Sequence, residues 1–161
     1  VWFGDVDVLL LDLPPGTGDI AISVGQLLPQ AEVLVVTTPQ EAAADVAVRS
    51  ALVARQTGQR VIGVVENMAG LAQPDGSVID VFGSGGGALV AERLSDAEHG
   101  DVPLLGSVPL SPPFRIAGDG GVPAVLSNPE DPAAQEVNRI AAHLARGGRG
   151  LAGRSLSVTP L

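Results

Sequence analysis

The 161-residue chain has no cysteine and no tyrosine, and its nine basic residues are all arginine, so lysine is absent too. Without thiols there is no disulfide and no thiolate-held metal or cluster within these residues. Without lysine there is no Lys-Ser/Thr pair, from which a phosphate loop takes its charge and metal ligand. Aromatic residues make up only 2% of the chain. Any core must therefore be built from Val, Leu, Ile and Ala, which suits helices layered on a buried parallel sheet. No apolar run approaches the roughly 20 residues that span a bilayer. No signal-peptide pattern opens the chain, which points to a cytoplasmic protein. Positive charge is scarce: a net charge of −9 and a pI near 4.4 argue against nucleic-acid and membrane partners, both of which need a positive field over a surface.

What is present suffices for a folded domain, since 45% of residues are hydrophobic and the mean hydropathy is +0.33. The first residue is Val1 rather than methionine and a strand pattern begins almost at once. The chain is therefore expected to be a piece of something longer.

Short continuous apolar runs, of the kind expected for strands buried on both faces, occur at Val8–Leu11, Ala31–Val36, Arg60–Val65 and Val102–Pro109. Helical patterns separate or follow them at Asp19–Leu28, Glu41–Gln56, Gly87–Leu94 and Pro132–Arg146. Gly58 is placed to stop the second helix and Pro132 to open the last. The alternation predicts an α/β fold, a parallel sheet with helices on both faces. Ligands in such sheets sit beyond the carboxyl ends of the strands. Three polar or glycine-rich segments follow strand ends, Asp12–Asp19, Asn67–Asp80 and Leu110–Pro123, and are expected to share one edge. Residues 147–161, rich in Gly, Arg and Ser, lack a sustained period and are expected to form a mobile tail.

In the segment DLPPGTGD, Asp12 closes an apolar strand, the position of a carboxylate that holds Mg²⁺ through its water ligands in phosphate-handling α/β proteins. Pro14 and Pro15 carry no amide N–H, so Gly16 is the first backbone donor after them, with no side chain to obstruct a phosphate. Asp19 falls at a helix N-cap or one turn beyond it. FGSGGG at Phe82–Gly87 is no phosphate loop, because it lacks the Lys-Ser/Thr pair and follows no confident apolar strand. His99 and His143 are far apart and read as surface residues, and Trp2 and Phe3 as cover for an edge of the core.

DLPPGTGD, VVTTPQEAAADVAVRS, GVVENMAG, FGSGGGALVAERL and LLGSVPLSPPFRIAGDGGVP, in that order, closely resemble the C-terminal half of the Mrp or ApbC-like ATPases. These are iron–sulfur cluster carriers of the MinD/Mrp-like, deviant Walker P-loop NTPase fold. The resemblance covers about residues 5 to 126, and the helix after Pro132 also fits. It implies a homodimer that binds ATP and Mg²⁺, hydrolyses ATP and serves iron–sulfur apo-protein clients or scaffolds. By the same resemblance Asp12 is the Walker B aspartate near Mg²⁺ and Gly16 the switch II glycine beside the γ-phosphate. Asn67 is the residue whose amide reads adenine, offering the donor and acceptor that the base edge requires. Pro109 and Leu110 begin the loop, running to Asp119, that packs against the base.

Two departures bound the inference. The family's lysine-bearing phosphate loop and its switch I aspartate find no counterpart. Residues 1–146 are therefore expected to be the C-terminal portion of an ATPase domain lacking that loop, and inactive alone. Many members also carry a C-P-x-C motif after the ENM segment, where paired subunits hold a 4Fe-4S cluster. Here that stretch reads Met68-Ala69-Gly70-Leu71-Ala72-Gln73-Pro74-Asp75-Gly76. Neither glutamine nor glycine replaces a soft thiolate, so this chain cannot hold a cluster in that way. A scaffold or regulator with the ATPase fold but no cluster chemistry is the alternative. A partition or septum-site ATPase is a weaker one, opposed by the acidic charge and the TGD extension.

Overall fold

A computed structural model describes residues 2–73 and 75–146; the expected tail at 147–161 lies outside the described residues. Two compact units divide between Leu110 and Ser111. No helix among the described residues is long and apolar enough to cross a membrane.

The first unit is a parallel sheet with its helices. Strands β1 (Glu32–Thr37), β2 (Arg60–Ala72) and β4 (Leu104–Leu110) run parallel with β2 in the centre, and β3 (Val78–Ile79) turns back antiparallel against the end of β2. Helix α1 (Asp19–Leu27) precedes β1, α2 (Glu41–Gln56) links β1 to β2, and α3 (Gly86–Leu94) leads to β4. The core is the seam between the sheet and two helices. Ala44, Ala47 and Ala51 form one stripe of α2, spaced as a helix repeats, and are buried with Val90, Ala91 and Leu94 of α3 against Val35, Val61 and Val64. Small alanines let α2 approach closely, which is how so few aromatics suffice. At the end of α2, Gly58 takes φ 85° and its N–H donates to the Arg55 carbonyl at 2.9 Å, the left-handed stop expected of a glycine there.

The first expected strand does not form. Val8–Leu11 has no ladder, and Leu10 is 86% exposed. A strand buried on both faces needs hydrogen-bond partners on its edges. Both edges of β2 are taken by β1 and β4, and the segment does not take the outer edge of β1. Trp2 and Phe3 are likewise exposed and cover no core. Other expectations need smaller corrections, since α1 ends at Leu27 rather than Leu28 and β1 lies one residue later than expected. α3 begins one residue earlier than expected. β4 begins two residues later and ends one later. β2 continues seven residues past Val65 into the β3 hairpin, whereas Asn67–Asp80 was expected to be a loop.

The second unit holds α4 (Pro112–Asp119), α5 (Ala124–Ser127) and α6 (Pro132–Arg146), with Ala124, Ala133, Ala134 and Ile140 buried. The segment expected to be a loop from Pro109 to Asp119 contains a helix, because Pro112 and Pro113 occupy its first two positions, where the missing N–H groups have no intrahelical acceptor. The Ser111 hydroxyl accepts from Phe114 N–H at 3.1 Å as the α4 cap and donates to the Asp131 carboxylate at 2.5 Å. Asp131 in turn accepts from Ala133 N–H at 2.9 Å, so one buried carboxylate ties the starts of α4 and α6 together.

Candidate functional site at the carboxyl edge of the sheet

Parallel pairing brings the carboxyl ends of β1, β2 and β4 to one edge. Asn67 of β2 stands in register with Val108 of β4, and Leu71 with Leu110, so Asn67 lies within β2 opposite the last part of β4, which ends in Pro109 and Leu110. The pairing is interrupted between Asn67 and Leu71, where Met68 adopts φ 62°, the left-handed region that a side chain such as methionine seldom enters. The Met68 N–H turns onto the Asn67 side-chain oxygen at 2.9 Å. That bond fixes which way the amide faces. Among the described residues the Asn67 Nδ2 has no partner and remains free to donate.

Glu66, one residue earlier, is 6% exposed, and its Oε2 accepts from the Gly87 N–H at 2.7 Å. A carboxylate thus occupies the positive end of α3. The glycines of FGSGGG permit this approach. A Cβ on Gly87 would lie 2.7 Å from the Glu66 Cβ, and one on Gly86 would lie 2.4 Å from the Thr38 carbonyl oxygen. The rejection of FGSGGG as a phosphate loop agrees with this geometry, since the anion at this helix terminus is the protein's own. Sequence reasoning passed over Glu66; an acidic residue ending an apolar strand, with paired glycines opening a later helix, was the available signal.

Asp12 and Gly16 are not joined to this cluster. Both lie in the unladdered segment before α1, with Asp12 exposed and Gly16 at φ 93°. Gly18 is the α1 N-cap and Asp19 its first residue, so Asp19 favours the helix dipole without capping it. Pro14, Pro15 and Gly18–Ala21 line a concavity of about 380 Å³ at that helix start. Among the described residues no group of three or more His, Asp or Glu could hold a metal. Asp12 stands there as a single exposed carboxylate, outside any such group.

The stretch matching the family's cysteine motif closes a hairpin. Gln73 N–H donates to the Ser77 carbonyl at 2.8 Å, and the Asp75 carboxylate accepts from Ser77 N–H at 2.9 Å and Ser77 Oγ at 2.7 Å. Those bonds hold the Asp75 carboxyl below the usual carboxylate range. No thiolate stands anywhere in the chain, so its residues do not fit an iron–sulfur cluster. His99 and His143 are both exposed, as expected, and the His99 Nδ1 lies 2.9 Å from Asp96.

The model of the NUBPL iron-transfer P-loop NTPase, of the ParA type, matches residues 1–145. An iron-sulfur cluster carrier protein of Mycobacterium bovis is 62% identical over 160 residues, 99% of this chain and 42% of the relative. One from Synechocystis is 41% identical over 145 residues, 89% of this chain and 39% of the relative. The chain thus spans about two fifths of the length of these curated relatives. Among solved structures, a nucleotide-binding protein in complex with ADP from Archaeoglobus fulgidus aligns with TM-score 0.59 at 34% identity, over 73% of this chain and 46% of that one. The septum site-determining protein MinD of Pyrococcus horikoshii, complexed with Mg-ADP, aligns with TM-score 0.57 at 23% identity, over 79% of this chain and 44% of that one. This last likeness concerns the fold.

Proposed function

Because the chain belongs to the NUBPL iron-transfer P-loop NTPase family, we propose that it forms the base-reading and switch portion of a longer ATP-hydrolysing protein that carries iron–sulfur clusters. The observation that supports this reading is the parallel pairing of β2 with β4, in which Asn67 stands opposite Val108, the residue that precedes Pro109 and Leu110. An amide whose oxygen is already oriented, beside an apolar proline and leucine, suits a flat heterocycle with a donor and an acceptor on one edge. Asn67 Nδ2 donates to the base, and its oxygen retains a lone pair for the exocyclic amine.

Asp12 would hold Mg²⁺, which would supply charge neutralisation at the phosphates. Gly16 presents a backbone N–H to the γ-phosphate. Hydrolysis moves the Pro14–Gly18 segment, and the change is felt at a homodimer contact around Ala69–Asp80. The phosphate contacts come from sequence beyond these residues, a reading supported by the absence of lysine and by the coverage of the relatives. The 161 residues alone accordingly bind ATP weakly. In the full-length protein, Asn67→Ala should weaken ATP binding about tenfold, the loss of roughly one well-made hydrogen bond. Titration calorimetry with MgATP checks this, and an unchanged affinity would sink the base-reading assignment.

The cluster is cargo, and its ligands are not in this chain. A second reading, an ATPase-fold scaffold without cluster chemistry, is favoured by the lack of any cysteine and by the closed turn at Gln73–Ser77. Anaerobic reconstitution of the full-length protein with iron and sulfide separates the two. Charge-transfer absorption from a thiolate-bound cluster supports the carrier, and its absence supports the scaffold.

A further inference from the structure

We propose that Glu66 is the positioning residue of the base site: its carboxylate, clamped on the start of α3, locks the Asn67 amide in the orientation that selects adenine over hypoxanthine and guanine. The inference rests on the base-reading role proposed for Asn67. An isolated asparagine amide can rotate to exchange its donor and acceptor, and a rotated amide pairs equally well with a base carrying N1–H and a 6-oxo group. Selectivity therefore requires something that prevents rotation. The Met68 N–H, directed at Asn67 Oδ1 at 2.9 Å, is that lock.

The lock depends on a backbone conformation that Met68 adopts at some cost, φ 62°. Such a conformation persists only where its surroundings hold it. Next to it in the chain, the Glu66 side chain ties β2 to another element through the bond from Gly87 N–H to Glu66 Oε2, at 2.7 Å and 21 residues away in sequence. Successive strand side chains leave on opposite faces, so anchoring Glu66 toward α3 sends Asn67 to the other side. Gly86 and Gly87 admit the clamp because a Cβ on either would collide, with the Thr38 and Pro39 carbonyls in one case and with Glu66 itself in the other.

The test measures affinity for MgATP, MgITP and MgGTP on the full-length protein and its Glu66→Gln, Glu66→Asp and Asn67→Ala variants. Glutamine keeps the length and an acceptor oxygen, whereas aspartate keeps the charge but falls one methylene short of Gly87. Clamping predicts that Glu66→Gln retains the ATP preference within about threefold, while Glu66→Asp loses about tenfold of it, close to the loss in Asn67→Ala (roughly one hydrogen bond,). If Glu66→Asp keeps the preference while Asn67→Ala loses it, the clamp is overturned and the base reading stands. If Asn67→Ala also keeps it, the base reading fails and the positioning role falls with it. A drop in thermal stability with no change in the ATP-to-ITP ratio would assign Glu66 to structure alone and likewise overturn the proposal.

Discussion

Two glycine-rich stretches flank the sheet, and they use glycine for opposite reasons. In PPGTGD a Cβ on Gly16 or Gly18 would meet nothing within 4 Å, and Gly16 is distinguished by its φ of 93°. In FGSGGG a Cβ on Gly86 or Gly87 would collide, at 2.4 and 2.7 Å. The first stretch needs conformational latitude in an open place; the second needs the absence of a side chain in a filled one. Motif matching cannot tell these apart, whereas the free space around each residue can.

Alanine substitution is the direct way to break the comparison. Gly86→Ala sets a methyl against two backbone carbonyls that cannot rotate away, and should destabilise the first unit by about 3 kcal/mol, read from the denaturation midpoint. Asp131→Ala removes a helix cap made by a side chain, and should cost about 1–2 kcal/mol in the second unit. Gly16→Ala has room and meets only the backbone preference, so about 1 kcal/mol or less is expected. A Gly16 effect as large as that of Gly86 would erase the distinction. The smallest effect concerns Asp96. Its carboxyl is lowered to about 2, first by the His99 backbone N–H and then by the His99 side chain. A depressed carboxylate contributes stability above its unfolded value, and that contribution is lost as pH falls toward about 2. Carbon-detected NMR titration of His99→Ala should show the midpoint rising only part of the way to 3.8, because the backbone donor stays.

How much was legible follows the range of the interactions. α2 and α6 were read to the residue, since helical spacing, Gly58 and Pro132 are local signals. The parallel pairing of β2 with β1 and β4 was also legible, because the alternation of strands and helices implies parallel strands. Glu66 was passed over because its partner lies 21 residues away and no periodicity links a carboxylate to a helix start, which left only the acidic end of an apolar run and a later glycine pair as a signal. Met68 was missed because a left-handed methionine has no compositional sign. Val8–Leu11 misled in the other direction. Its apolar run states a demand for two strand neighbours without saying where they are.

The outer edge of β1 carries a wider consequence. It is unpaired among the described residues, and Val36 on that strand is 59% exposed. Such an edge is a template for strand addition between copies. A net charge of −9, which diminishes toward the sequence isoelectric point near 4.4, opposes such addition by mutual repulsion. Acidity and salt therefore act on the association of these residues as well as on their folding, and turbidity is expected to rise on mild acidification.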